Sequence, residues 1–143
     1  MVRRAEPNDA EAVLELMAGL GRPNVAADPR DQADVFRAHL KSPDAEVFVA
    51  ELGGAIAGAV SLWFRPRLNW TTLEAWVPDL YVDPAFRRRG AARALLDACI
   101  QAARERGCHC LVLASGHQRA EAHLLYEHYG FTHSGRVYGL MLT

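Results

Sequence analysis

Arg87-Arg88-Arg89-Gly90-Ala91-Ala92 is the stretch of this chain whose residue types and order best suit a chemical task. Three guanidinium groups stand directly before three of the smallest side chains, where a long helical pattern begins. The first N–H groups of a helix have no partner within it and carry a partial positive charge, so such a start attracts phosphate oxygens. Gly90, Ala91 and Ala92 leave the main chain open to close approach, and arginine adds fork-shaped donors. The segment lacks the Gly-Lys-Ser/Thr ending of a P-loop and the three-glycine dinucleotide fingerprint. Taken alone, it also reads as a solvated basic surface.

Two carboxylates upstream, Glu74 and Asp79, are candidates for moving a proton. They are five positions apart, which in an unbroken strand points them to opposite faces. Pro78 between them has no N–H to give to a ladder, so the strand should be bulged, bent or unpaired there. A bulge would return both carboxylates to one face. Trp63, Phe64, Trp70, Trp76 and Tyr81 cluster along the same stretch, and Trp70, in a predicted loop, could line an acceptor pocket. Cys99, Cys108 and Cys110 are an odd number of thiols, which suits a reducing compartment. Cys108 and Cys110 flank His109, but no second ligand pair accompanies them, so buried inert thiols are expected and no metal. His123 and His128 read as ordinary helix residues.

The elements that must hold these groups follow from periodicity. Residues 1–5 suit a short strand. Asn8-Asp9 can cap a helix carrying Val13, Leu14, Leu16, Met17 and Leu20, stopped by Gly19 and Gly21-Arg22-Pro23. A second helix fits 31–40. Val47–Ala50 and Ile56–Phe64 read as strands joined at Gly53-Gly54, and 72–82 as a third. The longest helical signal runs from about Arg88 to Arg106, with Leu95, Leu96, Cys99, Ile100 and Ala103 as its apolar stripe and Gly107 as its end. Leu111–Leu113 reads as a short buried strand, 119–129 as a last helix, and Val137–Leu142 as a strand closing the sheet. This order predicts an α/β domain, mostly antiparallel in its first half, with helices on both faces.

The bulk numbers set bounds. The 143 residues, half of them hydrophobic and 23% charged, suit one globular domain over 1–143. Sixteen basic residues against seventeen acidic ones give a net charge of −1, which argues against a nucleic-acid-binding role. Neither a signal peptide nor a membrane-spanning run of about 18 apolar residues is visible, so a cytoplasmic protein is expected.

The segment Leu80–Leu96 resembles the acetyl-CoA signature of the GNAT superfamily of N-acetyltransferases, whose (Gln/Arg)-x-x-Gly-x-(Gly/Ala) pattern falls on Arg87, Gly90 and Ala92. Ala122-His123-Leu124-Leu125-Tyr126-Glu127-His128-Tyr129-Gly130-Phe131 resembles a second signature of that superfamily. Val2–Ala5 with Asp9-Ala10, and Phe48–Glu51 followed by Gly58, come in the expected order, so the resemblance covers nearly the whole chain.

The resemblance implies a GNAT-like α/β fold: a central mixed, mostly antiparallel sheet of about six or seven strands with four helices on both faces. It implies acetyl-CoA as acyl donor and a primary amine of a small molecule or protein as acceptor, attacked directly in a ternary complex. A sensor or partner module of the same fold, binding acyl-CoA without turnover, is the alternative. The strands at roughly 72–82 and 109–114 would splay, and main-chain groups of Leu80, Tyr81 and Val82 would pair with the pantetheine arm like an added strand. Arg87, Arg88, Arg89, Gly90, Ala91 and Ala92 would cradle the pyrophosphate. Ser115 could line the cofactor channel. Arg119 stands where many relatives carry an asparagine that contacts the pantetheine, and an arginine there could reach phosphate. Tyr126 matches the tyrosine that protonates the leaving thiolate. Asp79, ranked above Glu74, would take the amine proton. An acyl-cysteine is disfavoured because Cys99 lies in a packing stripe, and a homodimer paired through the final strand is an open possibility.

Overall fold

The computed structural model describes residues 1–19, 29–114, 120–135 and 137–142. The chain divides into two compact units, Met1–Val112 and Leu113–Thr143. Its strands are β1 (Val2–Arg4), β2 (Ala45–Leu52), β3 (Ala55–Arg65), β4 (Glu74–Val82) and β5 (Cys110–Leu113). Its helices are α1 (Ala10–Ala18), α2 (Pro29–Lys41), α3 (Ala91–Glu105) and α4 (Ala120–His128). The strands form one open sheet in the order β1-β2-β3-β4-β5, antiparallel from β1 through β4.

Five strands, rather than six or seven, are found among the described residues. The difference lies at Val137–Leu142, expected as a closing strand but without strand structure. A strand persists when its side chains are buried and its backbone groups paired. Here Val137, Tyr138, Leu140 and Leu142 are more than four-fifths exposed, and Gly139 interrupts the run. Leu111–Leu113, expected to be buried, is half-buried. Asp9 does not cap α1 with its side chain; its carboxylate accepts both arms of the Arg3 fork, at 2.8 and 2.9 Å, and the Glu6 N–H at 2.7 Å.

Strand alternation sorts the sheet's side chains into two layers. One layer, with Val47, Val49, Ala59 and Tyr81, packs against Val13 and Leu16 of α1 and Phe36 of α2. The other carries Val60, Leu62, Phe64, Ala75 and Val77 toward α3, whose Leu95, Leu96 and Cys99 are fully buried. Each such leucine contributes about 2–3 kcal/mol by leaving water, and together they fix the place where β4 hands over to α3.

Candidate active site

β4 carries the expected irregularity. Ser61 of β3 pairs with Asp79, but two residues on, Trp63 pairs with Trp76. Two steps of β3 therefore match three of β4, which places one extra residue at Val77-Pro78. Pro78 tolerates this because it has no N–H to lose. The bulge settles the facing of the two carboxylates. Ser61, Trp63 and Arg65 alternate along one face of β3, and opposite them stand Asp79, Trp76 and Glu74. Ser61 Oγ donates to Asp79 Oδ2 at 2.9 Å, and Arg65 Nε donates to Glu74 Oε2 at 2.7 Å. Asp79 and Glu74 thus share a face, with the Trp63–Trp76 pair between them.

Glu74 is 5% exposed. Arg67 Nη1 reaches both of its oxygens, at 3.0 and 3.1 Å, in addition to the Arg65 contact. Burial alone would raise its pKa, yet the hydrogen bonds and charges of Arg65 and Arg67 outweigh that and hold it below the ordinary carboxylate value. Its stabilising contribution is present above the unfolded-state pKa and is lost as pH falls through the lower folded value. Glu74→Gln is therefore expected to cost about 2 kcal/mol near neutral pH. In urea unfolding series, the gap from the parent should close as the pH drops below the usual carboxylate range.

Downstream, Leu80, Tyr81 and Val82 end β4 opposite Val60, Ala59 and Gly58. A short 3-10 turn, Pro84–Phe86, is started by Asp83, whose side chain accepts the Ala85 N–H at 2.8 Å. Arg87 turns back, its Nε donating to the Val82 carbonyl at 3.4 Å and its guanidinium 5.8 Å from the centre of the Tyr81 ring. Arg89 sits 5.7 Å from the Phe86 ring centre. Arg88 and Gly90 both have positive φ, 65° and 80°. Left-handed residues this close in a turn curl successive N–H groups into a concavity suited to anions. Gly90 is also the N-cap of α3 and gives it no side-chain cap. A Cβ built on Gly90 meets nothing within 4 Å, so glycine serves the backbone angle while the space outside the turn stays open. α3 begins at Ala91, later than the expected Arg88, because the arginines form the turn itself.

In the second unit, Tyr126 lies on α4 and is half-buried. The Phe131 N–H donates to the Tyr126 carbonyl at 3.0 Å and the Gly130 N–H to the Glu127 carbonyl at 3.0 Å. Gly130 has φ 94°. These bonds make the double-bonded, left-handed helix ending that favours glycine, with the usual apolar contact across it. That contact is Tyr126 against Phe131, rings edge to face at 6.0 Å. The Tyr-x-x-x-Gly-Phe spacing is thus a device that ends the helix and braces the tyrosine.

Ser115 and Arg119 lie outside the described residues. Trp70 is 55% exposed and stacks on His109, centroids 4.2 Å apart, while the Thr72 hydroxyl meets His109 Nδ1 at 2.9 Å. Cys99 is buried, which pushes its thiol up to about 12, whereas Cys108 is half-buried and Cys110 exposed, against the expectation of buried thiols, because His109 and Cys110 stand at the open start of β5. Among the described residues no three His, Cys, Asp or Glu side chains gather as a metal site. No described helix is long and apolar enough to cross a membrane.

Sequence reasoning passed over Ser61 and Arg65 as partners of the carboxylates. Their signal was present in Ser61-Leu62-Trp63-Phe64-Arg65, where polar or amphipathic side chains alternate with apolar ones, the mark of a strand with one wet face.

A bulged central strand that carries two carboxylates on one face and passes through a left-handed arginine-glycine turn into a long, uncapped helix marks the α/β class of this protein. The chain belongs to the acetyltransferase (GNAT) family, whose model matches residues 13–131, and it is an acetyltransferase. It is 29% identical over 133 residues to the uncharacterized N-acetyltransferase YhfO of Bacillus subtilis, covering 91% of this chain and 88% of that one. With the N-acetylaspartate synthetase of Rattus norvegicus it shares 32% over 105 residues, 73% of this chain but 34% of the relative. The crystal structure of a transcriptional regulator from Bacillus halodurans superposes with a TM-score of 0.89 at 26% identity, covering 99% of both chains.

Proposed function

We propose that this chain moves an acetyl group from acetyl-CoA to a primary amine of a small molecule or protein, by direct attack in a ternary complex. The observation that carries the reading is the Arg87–Ala92 turn: two left-handed residues, an uncapped helix start and open space outside Gly90. These are the features a pyrophosphate needs in order to reach main-chain N–H groups. Acetyl-CoA, when bound, supplies an activated thioester. The chain's own groups do the rest. N–H groups of the turn and of Ala91 and Ala92 hold phosphate oxygens, with the arginines adding charge. Main-chain groups of Leu80, Tyr81 and Val82 line up the pantetheine arm.

Asp79 takes the proton that the attacking amine must lose, and Ser61 holds that carboxylate by donating to its Oδ2. Glu74 is the weaker candidate, because two arginines occupy its oxygens and lower its affinity for a proton. Tyr126 protonates the departing thiolate; its support is the match to the family's second motif and its bracing by Phe131. The likeness to an N-acetylaspartate synthetase favours a small-molecule amine as acceptor. The second reading, an acyl-CoA-binding module without turnover, would use the same Arg87–Ala92 turn and leave Asp79 and Tyr126 without a catalytic role.

The test is thermal melting with and without acetyl-CoA, followed by thiol release over a panel of amines. A ligand of the native state at a hundred times its Kd stabilises by about 2.7 kcal/mol, so a clear upward shift is expected. No shift at millimolar acetyl-CoA would overturn the reading. A shift without thiol release from any amine would favour the binding module.

A further inference from the structure

The side of the sheet that carries Asp79 is organised in cross-strand rows, and their chemistry changes in order. The first row, Val49, Ala59 and Tyr81, belongs to the core under α1 and α2. The second is Val47, Ser61 and Asp79, and the third is Ala45, Trp63 and Trp76. The fourth pairs Arg65 with Glu74. Val47, Ser61, Ala45 and Glu74 are buried in these rows, and what the face leaves half-buried is, in order, the acid Asp79, the two indoles directly opposite one another, and Arg65.

Trp63 and Trp76 are both half-buried. His39 of α2 meets Trp63 edge to face at 5.0 Å, and the Arg65 guanidinium lies 4.5 Å from the Trp76 ring centre. The rings are thus held from two sides in fixed poses. Arg65 and Arg67 together bring two positive charges to the single negative charge of Glu74, so the far end of the strip is net positive. Side chains two residues apart on one strand face repeat every 6.6 Å or so, which sets the cationic end roughly 13 Å along the sheet from the Asp79 row.

We propose that this strip is the acceptor subsite and that it selects elongated aromatic amines, preferably with an anionic group at the end remote from the amine. The ammonium end is drawn to Asp79. The flat body lies on the Trp63–Trp76 pair, which offers large rigid apolar area and π faces, and the anionic end is met by the surplus charge of Arg65 and Arg67. Trp63, Trp76 and Arg65 are then specificity-determining residues. This inference rests on the acetyl-transfer reading for its chemistry, but the strip can be examined by binding alone.

The probes are n-butylamine, 2-phenylethylamine and 4-(2-aminoethyl)benzoate, each with the intact chain and with Trp63→Leu and Trp76→Leu. Two readouts are taken: quenching of tryptophan fluorescence, and thiol release with acetyl-CoA. In the parent, 2-phenylethylamine is expected to exceed n-butylamine by about tenfold in both affinity and kcat/KM, with the benzoate ahead of both. Both leucine variants should lose most of that preference while retaining the melting shift with acetyl-CoA. Arg65→Gln should erase the advantage of the benzoate and, because it also releases the Trp76 ring, lower the aromatic preference by less than either leucine variant does. Equal binding of butylamine and phenylethylamine by the parent, or an aromatic preference unchanged in both leucine variants, overturns the strip. Aromatic binding that follows these expectations without thiol release would leave the strip standing and count against acetyl transfer instead.

Discussion

Gly90→Val is expected to abolish the rise in melting temperature that the proposed acetyl-CoA site predicts for the parent chain, with little change in the unliganded fold. The reason is local. Gly90 sits at φ 80°, a left-handed angle that costs an L-residue roughly 1–2 kcal/mol and a β-branched one more. The turn is exposed, so the backbone can relax without unpacking the core, and relaxation rotates the N–H groups out of the concavity they form with Arg88. Charge-assisted hydrogen bonds contribute about 1.5–3 kcal/mol each, so misaligning two of them should weaken acetyl-CoA on the order of a hundredfold or more. A valine side chain would also enter the space that is clear within 4 Å of the Cβ position, where the proposed site puts a phosphate. Gly90→Ala separates the two causes. It strains the angle mildly and adds only a methyl group, so part of the shift should survive. Titration of melting temperature against acetyl-CoA for the three proteins is the measurement. An undiminished shift in Gly90→Val would remove the turn from the cofactor site.

The bulge at Val77-Pro78 was legible because proline's missing N–H is a covalent fact that no packing can change. The handover from β4 to α3 was legible for a similar reason, since glycine's freedom and the long apolar stripe of α3 are local properties. Glu74 was harder. Its type and strand could be read, but its two arginine partners come from Arg65 and Arg67 across a hairpin, and ion-pair geometry depends on register, which a bulge of one residue changes. The rows that place Trp63 beside Trp76 were illegible for the same reason, because without the bulge Trp76 would pair elsewhere. The closing strand at Val137–Leu142 misled because its residue types suit a strand, whereas strand formation depends on burial and partners that composition does not supply. Tyr126 carried a signal with a physical basis: the spacing to Gly130 and Phe131 is what the helix ending requires.

Tyr126→Phe is expected to lower kcat by about a hundredfold to a thousandfold, within the range that a positioned general acid supplies, and to leave the acetyl-CoA melting shift unchanged. The substitution removes one hydroxyl and keeps the ring. The edge-to-face contact with Phe131 and the hydrogen bonds that end α4 therefore remain, and stability should move little. An ordinary tyrosine titrates near about 10 and an ordinary thiol near about 8.5. A phenol hydroxyl can donate a hydrogen bond to the sulfur as negative charge develops on it, and a proton delivered at that point spares the enzyme a free thiolate. With phenylalanine the thiolate must depart unassisted, so the loss falls on the chemical step and not on cofactor binding. Phe131→Leu keeps an apolar brace but not its ring geometry, and a smaller fall in kcat, again without a change in the melting shift, would identify Phe131 as a positioning residue. Full turnover in Tyr126→Phe would assign the proton to another donor, and equal loss of turnover and of cofactor affinity would recast Tyr126 as part of the binding site.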